Sequence, residues 1–146
     1  MKTETVNYQA KNIDLKGYVA FPDAENAPLV LIAHTWAGKD EFVHQRAEEL
    51  AALGYVGFAV DMYGNGKVGA DTAENESLMT PLVSDRDMLK DRIVSALNYG
   101  KNLPGVDSSR AAAIGYCFGG LVVLDLARSG EAVSYTHLTL PTILLV

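Results

Sequence analysis

Polar and apolar positions alternate along the chain in blocks that change period, and each block predicts an element. Residues 3–10 and 12–21 read as two strands joined near Asn12, with Ile13, Leu15, Tyr18, Val19 and Phe21 apolar in the second, so an N-terminal hairpin is expected. After a polar turn over residues 23–28, Leu29-Val30-Leu31-Ile32-Ala33 is unbroken apolar sequence. A strand needs that only when both faces are buried, which predicts a central parallel strand. Between residues 40 and 53, Val43, Ala47, Leu50 and Ala51 fall at helical spacing, and Gly54 stands where a left-handed cap would close the helix. A strand over residues 55–60 follows and ends in the Gly-rich loop Asp61-Met62-Tyr63-Gly64-Asn65-Gly66.

The pattern weakens over residues 67–82, where an irregular surface excursion is expected. Ser84-Asp85-Arg86-Asp87 matches a capping box, and the helix it opens places Leu89, Ile93, Ala96 and Leu97 on one face. Ala111 to Gly115 is a short apolar strand, followed by a helix from about Phe118 to Arg128 that Ser129-Gly130 closes. Alternating strands and helices define the α/β class, and no boundary interrupts residues 1–131. A single domain is predicted there.

Composition and charge narrow the function classes. Of 146 residues, 49% are hydrophobic and 21% charged, the profile of a globular chain. The net charge of −6, with no Lys/Arg cluster, argues against a nucleic-acid partner. The single cysteine cannot form an intramolecular disulfide, and no Cys/His spacing predicts a metal site. The first residues lack the apolar core of a signal peptide, and no run approaches the roughly 18 apolar residues of a membrane span, so a cytoplasmic protein without membrane association is expected.

The segment that carries chemistry is Gly115-Tyr116-Cys117-Phe118-Gly119-Gly120. It lies between a buried-strand pattern and an apolar helix, and matches a G-x-nucleophile-x-G elbow with cysteine as the nucleophile. Such a turn is sharp, so the residues two on either side of the nucleophile must lack bulk for strand and helix to approach. The glycines distinguish it from an ordinary buried cysteine. A dinucleotide-binding loop is the other candidate for this pattern, but it wants glycine where Cys117 stands. A helix N-terminus favours negative charge by only about 0.3–2 kcal/mol, so attack by Cys117 would still need a base.

Two further segments join this one: Ala33-His34-Thr35-Trp36-Ala37-Gly38, and Leu53-Gly54-Tyr55-Val56-Gly57-Phe58-Ala59-Val60-Asp61-Met62-Tyr63-Gly64. In this order the three resemble the dienelactone hydrolase family of the α/β-hydrolase superfamily, over residues from about 1 to 131. The resemblance implies a three-layer, mostly parallel α/β-hydrolase-type sheet with an N-terminal hairpin, incomplete here on its C-terminal side. It also implies hydrolysis of a small lactone or ester by a Cys-Asp-His triad, with no metal or cofactor. Carried onto this chain, Cys117 is the nucleophile, and the backbone N–H groups of Phe118 and Trp36 form the oxyanion hole. Donors of that kind are worth about 2.7–4 kcal/mol each in a transition state. The best-known members carry glutamate at the position of Thr35, and threonine cannot take the thiol proton, so a different substrate preference is expected.

Other residues bear on the pocket less directly. His34 and Thr35, at the end of the third strand, are candidates to line it, although His34 reads more readily as a hydrogen-bonded structural histidine. Arg86 is a candidate to meet an acidic group of a substrate, or a surface arginine in a first helical turn. His44 is expected on a solvated helix face, Asp61 is expected to cap a turn, and Asp125 and Arg128 read as an exposed i, i+3 pair.

Only 29 residues follow Cys117. In α/β-hydrolases the acid and histidine come after the nucleophile from later loops, so His137 arrives too early to be the triad histidine and the acid has no candidate. Residues 132–146 include Ser134-Tyr135-Thr136-His137-Leu138-Thr139-Leu140-Pro141-Thr142, which resembles adaptor read-through and predicts a non-native tail. The alternative is a native strand at Ile143-Leu144-Leu145-Val146. The nucleophile strand is expected to form an uncovered sheet edge, and the chain itself to be inactive. A binding or interaction module without catalysis is the competing functional class.

Overall fold

In the computed structural model, which describes residues 1–130 and 136–139, β1 (Lys2–Ala10) and β2 (Ile13–Phe21) form the expected hairpin. They pair antiparallel from Lys2↔Phe21 to Ala10↔Ile13, and the chain turns through Asn12 at φ 55°. In β3 (Ala27–Ala33) every residue from Leu29 to Ala33 is buried, as its unbroken apolar run requires. α1 (Glu41–Ala52) buries Val43, Ala47 and Ala51, and Gly54 follows at φ 97°. β4 (Val56–Ala59) is wholly buried.

The stretch read as irregular is a helix instead. α2 (Thr72–Ser84) is capped by Asp71, whose carboxylate accepts the Glu74 N–H at 2.9 Å. It buries only Leu82, and a helix that lies on the surface has no apolar stripe to betray its period. α3 (Arg86–Lys101) then starts one residue later than the capping-box reading placed it. Ser84 still belongs to α2, and Asp85 caps α3 by accepting the Met88 N–H at 3.1 Å. Leu89, Ile93, Ala96 and Leu97 are all buried, as expected.

β5 (Val106–Gly115) extends further back than its apolar half, with a register irregularity opposite Pro28 and Leu29, and leads into α4 (Phe118–Ser129), closed by Gly130 at φ 72°. The sheet order is β1-β2-β4-β3-β5-β6, where β6 is Thr136–Thr139. β2 is antiparallel to β4, whereas β4, β3, β5 and β6 run parallel to one another. α1 packs on one face over Ala20, Ile32 and Ala59. On the other face, α3 and α4 bury Leu29, Leu31 and Phe58 against Ile93, Leu97, Val122 and Leu126. The result is a three-layer α/β sheet.

One expectation about the edge is corrected. The backbone of β6 pairs with Ala111 to Ile114, so β5 is flanked on both sides over those residues and is not an open edge. Ile143 to Val146, the segment considered as a native strand, lies outside the described residues.

Candidate active site

β3 and β5 are parallel neighbours whose last paired residues are Ala33 and Gly115. The segments that follow them, His34 to Gly38 and Tyr116 to Gly119, therefore emerge side by side at the carboxyl edge of the sheet, where ligands of open α/β sheets bind. Trp36 and Cys117 belong to these two segments.

Cys117 sits between β5 and α4 with φ 55° and ψ −115°, and its side chain is exposed. A non-glycine residue held there costs on the order of 1–3 kcal/mol and persists only where its surroundings enforce it. The surroundings here are tight. A Cβ on Gly115 would overlap the Gly119 carbonyl, and one on Gly119 would overlap the carbonyl of Ala33. Tyr116 N–H donates to Ala33 O at 3.3 Å, while the N–H groups of Gly119 and Gly120 turn back to Tyr116 O and Cys117 O at 2.9 Å each. Phe118 is the first residue of α4, so its N–H has no acceptor within the helix.

The β3 loop is built to hold Trp36. The Thr35 carbonyl accepts from His34 Nδ1 at 2.6 Å and from Gly38 N–H at 3.1 Å. Because the peptide is planar and trans, fixing that carbonyl fixes the Trp36 N–H in the opposite direction. The next peptide is held as well: Tyr63 Oη donates to the Trp36 carbonyl at 2.7 Å, and Ala37 N–H donates to Thr35 Oγ1 at 3.2 Å. The Thr35 hydroxyl thus closes its own loop. The Trp36 ring packs against the main core.

His34 makes the hydrogen bonds of a structural histidine. It is fully buried, and with Nδ1 donating to Thr35, Nε2 must be the acceptor for Met62 N–H at 3.1 Å. Burial pushes its pKa below the ordinary histidine value, and a proton on Nε2 would set two donors against each other. The neutral ring is a fixed strut. Asp61 caps its turn as expected: Oδ1 accepts from Tyr63 and Gly64, both at 3.0 Å, and Oδ2 from Lys16 at 3.0 Å and Gly66 at 2.8 Å.

Two expectations about charged residues, Asp125 and His44, are corrected. Asp125 is 7% exposed rather than on the surface, and besides Arg128 at 3.0 Å it holds Arg86 through Nε and Nη2, both at 2.6 Å. Arg86 is a partly exposed first-turn arginine, and through Asp125 it ties the start of α3 to α4. His44 is not simply solvated, because its ring stacks on Tyr18 with centroids 4.2 Å apart and Lys39 Nζ lies 3.1 Å from its Nε2. Sequence reasoning passed over Tyr63, Lys39 and Arg92, the last donating to Met62 O at 2.7 Å. Only Tyr63 had a signal, its place in the Asp-Met-Tyr-Gly segment.

Among the described residues no cluster of three His, Cys, Asp or Glu could hold a metal ion, and no helix is long and apolar enough to cross a membrane. A concavity of about 580 Å³ lies among Pro28, Leu29, Val30, Tyr55 and Arg110, toward the amino ends of β3 and β5. Neither Cys117 nor Trp36 lines it.

The model of the dienelactone hydrolase family matches residues 15–139. The chain belongs to the dienelactone hydrolase family. It is 27% identical over 130 residues to a putative carboxymethylenebutenolidase of Synechocystis, covering 84% of this chain and 52% of that protein. It is 28% identical over 121 residues to carboxymethylenebutenolidase 1 of Cupriavidus pinatubonensis, covering 79% and 51% respectively. Among solved structures, a dienelactone hydrolase-like promiscuous phosphotriesterase from metagenomic libraries superposes with a TM-score of 0.89 at 30% identity, covering 95% of this chain and 58% of that one. The chain thus spans about half the length of the curated family members it matches.

Proposed function

We propose that this chain carries the nucleophile half of a dienelactone-hydrolase-type enzyme acting on a small lactone or ester. The Cys117 sulfur attacks the carbonyl carbon, and the N–H groups of Phe118 and Trp36 receive the developing oxyanion. Collapse breaks the bond to the ring or leaving oxygen, which takes up a proton, and leaves a thioester on Cys117. Water then releases the acid and restores the thiol. The observation that supports this most is the backbone of Cys117, held at φ 55° and ψ −115° by two glycines that nothing but a sharp elbow requires.

The proton relay comes, in this reading, from the half of the family fold that the chain does not span. His34 is committed to Thr35 and Met62, and His44 to Tyr18 and Lys39. His137 pairs by its backbone with Ala112, about five residues back from Cys117 and on the order of 15 Å down the strand. In this reading the chain stops at the acyl-enzyme.

Mixing the chain with p-nitrophenyl acetate tests this. One equivalent of p-nitrophenol per chain and no continuing turnover is expected, with the burst absent from Cys117→Ala. Steady turnover would contradict the missing relay. Absence of a burst would favour a non-catalytic binding module. The superposition on a promiscuous phosphotriesterase makes phosphate triesters the second electrophile class to assay.

A further inference from the structure

Tyr63 touches both segments that would donate to the oxyanion, and it is itself held from below. β4 lies beside β3, so the loop after β4 rises next to the Trp36 loop. Within it, Asp61 Oδ1 accepts the Tyr63 N–H at 3.0 Å. The preceding residue is pinned twice, Met62 N–H to His34 Nε2 at 3.1 Å and Met62 O to Arg92 Nη1 at 2.7 Å. A backbone fixed in this way gives the side chain one direction.

In that direction the Tyr63 hydroxyl donates to the Trp36 carbonyl at 2.7 Å, and the ring stacks on Phe118 with centroids 5.9 Å apart and planes at 21°. His34 fills the remaining side at 4.8 Å. Tyr63 is only 5% exposed, and burial raises its phenol pKa, which keeps the hydroxyl a donor at any working pH.

We propose that Tyr63 is a positioning residue that sets the aim and spacing of the Trp36 and Phe118 N–H groups. It touches no reacting atom. Its hydroxyl and the Thr35 hydroxyl hold the two ends of the Trp36–Ala37 peptide, while its ring fixes how far the start of α4 stands from that peptide. This assignment rests on the reading of Cys117 as an acyl-transfer nucleophile.

Two reactions of the same sulfur separate positioning from general loosening. Acylation by p-nitrophenyl acetate passes through a tetrahedral oxyanion and uses the hole, whereas alkylation by iodoacetamide displaces iodide and forms no oxyanion. We expect Tyr63→Phe to lower the ratio of acylation to alkylation rate at Cys117 by about 3- to 10-fold, the worth of one hydrogen bond. Tyr63→Leu, which also removes the ring, should lower it further. A ratio in Tyr63→Phe equal to that of the parent chain overturns the proposal, and so does a parallel fall in both rates. If the parent ratio is no higher than that of cysteine in an unstructured peptide, the nucleophile reading fails first and takes the Tyr63 assignment with it.

Discussion

The carbonyl oxygen of Ala33 occupies the space that a side chain on Gly119 would need. Strand β3 and helix α4 therefore meet backbone to backbone at the point where the nucleophile is turned out. Gly119→Ala should force them apart and destabilise the chain by roughly 1–3 kcal/mol, the range for overpacking a tight contact. It should also slow acylation of Cys117. Urea denaturation checks the first effect, and a midpoint equal to the parent's would mean the contact is not as close as described.

Arg86 and Asp125 are a second such tie. The Asp125 carboxyl is held below the usual carboxylate range, first by Arg86 and then by Arg128. A depressed carboxyl contributes its full stability above the unfolded value of about 4 and loses it as pH falls from there toward the folded value. Arg86→Leu should cost about 1–2 kcal/mol at neutral pH, less than breaking a fully buried pair, because Arg86 is partly solvated and Arg128 remains. The gap between parent and variant should narrow below about pH 4. Chemical denaturation at neutral and acid pH measures it, and a gap independent of pH would contradict the pairing.

His34 predicts a different pH window. Burial lowers its pKa in the folded state, so the unfolded chain binds a proton first as pH falls below about 6.5. Thermal stability should be level above pH 7 and decline from about pH 6.5 downward. His44 is also lowered, by burial and by Lys39, but it is only partly covered. Most of the decline should therefore survive in His44→Gln. Its disappearance in that variant would shift the effect from His34 to His44.

The alternation of periods made the elements legible, and glycine spacing made the elbow legible, because both follow from local sterics. What escaped was set by distance. Asp125 looked like an exposed partner of Arg128 because the residue that buries its charge is Arg86, on another helix. His34 was legible as a hydrogen-bonded histidine, but its partners Thr35 and Met62 were not. α2 escaped because it buries one residue, although Asp71 and Glu74 had the spacing of a cap. Tyr63 stood within a quoted segment, yet its role appears only once β3 and β4 lie side by side.

The most direct test of the account is the infrared absorption of a ¹³C-labelled acetyl group placed on Cys117. With two backbone N–H groups converging on it, the thioester carbonyl should absorb at lower frequency in the folded chain than in the same adduct unfolded in guanidinium, where only water bonds to it. A folded-state band at or above the unfolded position would mean that no such pair of donors faces the sulfur, and the proposed chemistry would have no site.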